Sequence, residues 1–220
     1  MRYRRFDILP PMAERIIRGT KPGATHVTGP GGLDAEGFAR WYRDRTLEQW
    51  RTLDLGALAR IAAIIEESQE KGRFVWVCGN GGSAASAAHV GCDFGKTAAR
   101  PGAKPLKALS LSDNAPFVTA VANDLSFDRV FSRQLENVVA AKDVVLLISG
   151  SGNSPNLIEA ARLARSRGAT TVGLLGFDGG QLKPLCDETL LIPSDQYGVV
   201  EDLHMAVAHI LTFYLKQKKA

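Results

Sequence analysis

The chain has 220 residues, with a hydrophobic fraction of 45% and a charged fraction of 23%, ordinary for one soluble α/β domain with room for an added arm. A formal net charge of +4 suits anionic small molecules, and no concentrated Lys/Arg block argues for nucleic acid. No apolar run approaches the ~20 residues of a membrane span, and three cysteines make no disulfide framework, so a reducing cytoplasm is the expected compartment.

The basic N-terminus (Arg2, Arg4, Arg5) is interrupted by Pro10 and Pro11, and no apolar signal core follows. Breakers at Thr20-Lys-Pro-Gly and Thr28-Gly-Pro-Gly-Gly mark residues 1–33 as an arm, ahead of a body over 34–220. Asp34 caps an expected helix through Phe38, Trp41, Tyr42 and Leu47. A second helix starts near Asp54, carries Leu58, Ile61, Ile64 and Ile65 at helical spacing, and stops before Gly72. These two helices need an apolar surface to cover, either their own sheet or an oligomer interface.

Phe74-Val-Trp-Val-Cys78 is a buried strand, and Cys78 reads as a small core residue. A glycine turn, Gly79-Asn-Gly-Gly82, leads from it into a small-residue helix carrying Ser83 and His89. Then come a short strand over Leu106–Leu111, a helix from Asp113 to Val121 and another from Phe127 to Val139. Asp143–Ser149 is a strand, Pro155–Arg167 a helix, Thr170–Leu175 a strand, Glu188–Ile192 the last strand. A final helix runs from about Val199 into the solvated C-terminal lysines. Strands alternating with helices predict a three-layer α/β fold, a doubly wound five-stranded parallel sheet with extra N-terminal helices.

Ligands of such sheets bind beyond the carboxyl ends of the strands. Two turns on that rim have the chemistry for it. Gly79–Ser83 ends a strand and opens a helix, so its backbone can approach an anion, although the spacing matches neither a dinucleotide fingerprint nor a P-loop. Ser149-Gly-Ser-Gly-Asn-Ser154 offers three hydroxyls beside free backbone N–H groups at a helix start, which suits a phosphate without any lysine. Both also read as plain strand-to-helix turns, the second as a serine-rich cap.

His89 and Asp93 stand four apart on one helix face, a spacing that can hold one divalent metal. On the last helix Glu201 and His209 lie within ~80° of each other, whereas His204 and His209 diverge by ~140°. His204 therefore reads as a packed or solvated histidine.

Five motifs in order, Cys78-Gly-Asn-Gly-Gly-Ser83, Ala122-Asn-Asp124, Ile148–Ser154, Gly176-Phe-Asp-Gly-Gly180 and Glu201-Asp-Leu-His-Met205, resemble the sugar isomerase (SIS) domain, and within it the phosphoheptose isomerases. The resemblance covers about residues 50–218. It implies a flavodoxin-like strand order and interconversion of sedoheptulose 7-phosphate and D-glycero-D-manno-heptose 7-phosphate through an enediol. It further implies a metal, usually zinc, held by His89, Asp93, Glu201 and His209, with Asp93 and His209 as base and acid. Substrate contacts implied are Asn80, Gly81, Gly82, Ser83, Asn123, Asp124, Ser149, Gly150, Ser151, Ser154 and Glu201.

The chain departs from that pattern at two ligands. Asp93 is a methylene shorter than the family's Glu, and Glu201 replaces a neutral Gln. The extra carboxylate should tighten metal binding and weaken the metal as a Lewis acid. A rise of roughly 12 Å between Glu201 and His209 is too long for one ion on one straight helix. Either Glu201 precedes the regular helix, or the site is shared between subunits of a homotetramer. Two further readings are an isomerase of another sugar phosphate, to which Gly198 and Val199 point, and a non-catalytic scaffold binding the bacterial replication initiator protein, to which Ala84-Ala-Ser86 and Asp93 point.

Overall fold

A computed structural model describes residues 29–218. The arm expected over residues 1–33 lies, as far as residue 28, outside the described residues. Helix α1 (Ala35–Thr52) begins where the Asp34 carboxylate accepts from the Gly37 N–H at 2.8 Å. Helix α2 (Leu55–Lys71) begins in the same way at Asp54, which accepts from Ala57 at 2.9 Å. It ends where Gly72 turns left-handed and closes the last carbonyls.

The strands are β1 (Phe74–Cys78), β2 (Lys107–Ser110), β3 (Val144–Ser149), β4 (Thr170–Gly176) and β5 (Glu188–Ile192). All pairings are parallel, in the order β2-β1-β3-β4-β5. The remaining helices are α3 (Gly82–Cys92), α4 (Ala115–Asp124), α5 (Ser132–Val138), α6 (Pro155–Ser166) and α7 (Tyr197–Gln217).

Alternation along the strands builds two cores. Val75, Val77, Leu146 and Ile148 face a cluster shared with Ile61 and Ile65 of α2, Val90 of α3 and Leu203, Val207 and Leu211 of α7. Trp76, Cys78, Val145 and Leu147 face the opposite cluster with Leu135 of α5 and Leu157, Ala160 and Ala161 of α6. The three-layer doubly wound fold expected from the sequence is thus present.

The two N-terminal helices have different fates. Helix α2 buries Ala57, Ile61, Ala62, Ile65, Ser68 and Gln69, whereas α1 buries none of its residues. The single helix expected over Phe127–Val139 is a 3-10 turn (Phe127–Arg129) followed by α5. The break falls at Val130 and Phe131, both buried. The last helix starts at Tyr197, two residues before the expected point, so Glu201 lies inside it.

Candidate active site

The β1 and β3 chains lead to opposite sides of the sheet, and the crevice between their carboxyl ends is the switch point. The loops after them are stitched together there. The Asn80 and Asn156 side-chain amides exchange two hydrogen bonds, each 2.9 Å. Asn156 is the second residue of α6 and is buried. Gly79 has no room for a side chain, since a Cβ would stand 2.4 Å from the Ser83 carbonyl oxygen.

The loop after β3 is organised by its own side chains. Ser149 Oγ accepts from the Gly152 N–H at 3.0 Å, and Ser151 Oγ accepts from the Asn153 N–H at 3.2 Å. A hydroxyl that accepts from the backbone keeps its own proton to donate, so both serines can present O–H groups to an anion. Gly152 sits at φ +65°, and a Cβ there would lie 2.0 Å from the Gly179 carbonyl oxygen. The loop after β4 therefore backs the serine loop directly, and Leu182 N–H donates to the Gly152 carbonyl at 2.9 Å. Ser154 occupies the N-cap of α6 without a side-chain cap hydrogen bond, and Pro155 follows.

On the opposite side of β1, α3, the turn that follows it and α7 bring three titratable side chains together. His209 Nε2 lies 3.1 Å from His89 Nε2, and His89 Nε2 lies 3.3 Å from Asp93 Oδ2. One ligand atom from each of the three fits within 4.8 Å of the others. Two nitrogens each ~2 Å from one tetrahedral ion stand about 3.3 Å apart, so the two imidazoles and the carboxylate fit a divalent metal.

A SIS domain family matches residues 42–176. The chain is 45% identical over 155 residues to a phosphoheptose isomerase of Pelobacter propionicus, covering 70% of this chain and 81% of that one. Its structure superposes on a phosphoheptose isomerase from Neisseria gonorrhoeae with TM-score 0.75 at 29% identity, covering 84% and 97% of the two chains. With another from Francisella tularensis the TM-score is 0.77 at 27% identity, covering 83% and 96%. The chain belongs to the phosphoheptose isomerase family of SIS-domain proteins.

Among the described residues of this one chain, three of the four expected ligands, His89, Asp93 and His209, come together. Glu201 is the fifth residue of α7, two turns and roughly 12 Å from His209, and it does not join the cluster. The alternative that Glu201 precedes the regular helix is also overturned. Its carboxylate instead lies against the start of α3, where a Cβ on Gly82 would stand 2.6 Å from both Oε atoms. Burial raises the Glu201 carboxyl above its ordinary range, and the neighbouring Asp202 adds to the rise. Asp202 in turn accepts from the Tyr42 hydroxyl at 2.6 Å, which ties α1 to the second turn of α7.

Asn123 Nδ2 donates to Asp124 Oδ1 at 2.8 Å. Asp124 lines a cleft of about 880 Å³ with Asn153 and Pro155 from the serine loop, and with Arg129, Arg162 and Gln181. His204, read from the sequence as packed or solvated, is packed. Burial pushes its pKa down to about 4, against a smaller upward pull from the Leu175 backbone.

Sequence reasoning missed Asn156, Tyr42 and Thr97. Asn156 and Tyr42 act on partners 76 and 160 residues away, which no local pattern reveals. Thr97 was within reach of the four-residue spacing that paired His89 with Asp93, since its hydroxyl meets Asp93 four residues back.

Proposed function

We propose that the chain interconverts sedoheptulose 7-phosphate and D-glycero-D-manno-heptose 7-phosphate by proton transfer between C1 and C2. The observation that carries this reading is the convergence of His89, Asp93 and His209 into one cluster, together with a hydroxyl-rich loop after β3 that suits a phosphate. Ser149, Ser151 and Ser154, with the Gly150 N–H and neighbouring backbone donors, hold the phosphate. Asn80, Gly81, Gly82, Ser83, Asn123, Asp124 and Glu201 orient the sugar hydroxyls.

Asp93 takes a proton from C1 of the ketose while His209 delivers one to the C2 oxygen, giving the enediol. His209 then removes the proton from the C1 oxygen and Asp93 returns one to C2, giving the aldose. His89, Asp93 and His209 would hold zinc or another divalent ion, which when bound offsets negative charge on the enediolate. With three ligands among the described residues of one chain, Glu201 completes the set from another subunit of a homotetramer, and the exposed Phe38, Leu47 and Trp50 of α1 offer the contact surface. A monomer that kept full activity in dilute solution would remove that part of the proposal.

The three free cysteines fit a cytoplasmic enzyme. No described helix is long and apolar enough to cross a membrane. The deciding experiment is turnover of sedoheptulose 7-phosphate by purified protein, metal-free and after added zinc. Metal-dependent turnover is expected. Absence of turnover, with the sugar phosphate still raising the melting temperature, would move the assignment to another sugar phosphate or to the scaffold reading.

A further inference from the structure

Helix α3 ends at Cys92, and the next five residues, Asp93–Thr97, form a single π-helical turn. The turn is closed by the Ala98 N–H donating to the Asp93 carbonyl at 2.8 Å. Such turns are uncommon and recur at functional sites, because the extra residue re-aims the side chains on either side of it. Here Phe94 and Ala98 anchor the turn in the core, exposed by only 1% and 0%. Between those anchors the half-buried Thr97 places its hydroxyl 2.9 Å from Asp93 Oδ1, and donates to it. The other carboxylate oxygen, Oδ2, is the one that faces His89.

We propose that Thr97 is a positioning residue for Asp93, an inference that rests on the reading of His89, Asp93 and His209 as a metal-binding and proton-transfer group. The hydroxyl makes the two carboxylate oxygens inequivalent. Oδ1 is engaged by Thr97, and Oδ2 is left as the single oxygen presented to the imidazoles. Without that bond, rotation about the Asp93 side chain interchanges the two oxygens, and the group is no longer preorganised for one-oxygen coordination. The β-branch of threonine restricts the hydroxyl to few rotamers, which sharpens the effect. Hydrogen-bond partners of metal ligands typically contribute 10–100-fold in affinity or activity.

The test compares wild type, Thr97→Val, Thr97→Ala and Thr97→Ser. The alanine variant stands in if the second methyl of valine does not fit. Each metal-free protein is titrated with Zn2+ against a chromophoric chelator, and kcat and KM are measured for the zinc-saturated forms. The expected result is zinc affinity about 10–100-fold weaker in both hydroxyl-free variants, kcat lowered with KM little changed, and both restored by serine. A purely packing role would lower the melting temperature and leave the kcat-against-KM split unmoved.

Zinc affinity and kcat within twofold of wild type in the folded valine or alanine variant would overturn the proposal, as would a serine variant as impaired as they are. Should wild type fail to turn over sedoheptulose 7-phosphate while the zinc series behaves as expected, the substrate assignment falls and the role of Thr97 stands. Should no form bind zinc, the kcat series with serine rescue decides.

Discussion

The two glycine–serine loops at the switch point look alike in sequence and differ in what surrounds them. The first, Gly79–Ser83, opens onto α3 with the Glu201 carboxylate already against Gly82. The second, Ser149–Ser154, is furnished with hydroxyls whose oxygens accept from the loop's own backbone and whose protons remain to be donated. An anion is repelled by a carboxylate beside the first loop and drawn to neutral donors in the second. On the proposed reading, the phosphate end of the substrate goes to the second loop and the reacting end to the side where His89, Asp93 and His209 gather. Anchoring in the serine loop and chemistry at the His89, Asp93 and His209 cluster would then be separate, and substitutions on the two sides should separate in kinetics.

The largest effect is expected on the chemical side. Asp93→Asn keeps the shape and removes the base, so turnover should fall by several orders of magnitude in a steady-state assay, since general base catalysis alone supplies about 10²–10⁴. Retained turnover would move the base elsewhere. Next comes the scaffold of the anchoring loop. Gly152→Ala forces a Cβ into the Gly179 carbonyl at a left-handed φ of +65°, so the loop must shift. The phosphate site should be lost, read as a substrate-induced melting-temperature shift that disappears. Ser151→Ala is milder. It removes one donor while the loop backbone stays, so KM should rise about tenfold with kcat little changed, the reverse of the Asp93 pattern.

Two further measurements concern the α7 helix that carries both Glu201 and His209. His204 has a folded pKa of about 4 against 6.5 for an ordinary histidine, so between those values the unfolded chain binds more protons than the folded one. Stability attributable to His204 is therefore present above pH 6.5 and is lost as pH falls through that window, by roughly 3 kcal/mol in total. Urea unfolding at pH 7 and pH 4.5 checks it, and His204→Leu should flatten the difference. The smallest expected effect is that of Tyr42→Phe, which removes the 2.6 Å hydrogen bond to Asp202 in an exposed setting and should cost about 1 kcal/mol or less by the same unfolding assay.

Much of this was legible in the chain itself, and the misses share a cause. Asp34 and Asp54 announced their helices because capping is local, but nothing local told α1 from α2, since burial depends on what lies opposite. Ser149, Ser151 and Ser154 were readable as a donor-rich loop, yet which of their atoms face inward depends on backbone geometry. The four-residue spacing paired His89 with Asp93, the resemblance named His209 with them, and the structure brings the three together. Helix angle paired Glu201 with His209, the axial rise of about 12 Å already told against one ion taking both from one helix, and in the structure Glu201 stands off the cluster. The π turn after Cys92 was invisible because it reflects how Phe94 and Ala98 seat in the core rather than a residue signature.

The division of labour is tested most directly with His209→Asn, by measuring sugar phosphate binding by calorimetry and turnover on the same preparation. Binding within a few-fold of wild type is expected, with turnover reduced by several orders of magnitude. Retained turnover would remove His209 from the mechanism, and binding lost together with turnover would contradict the separation of anchoring from chemistry.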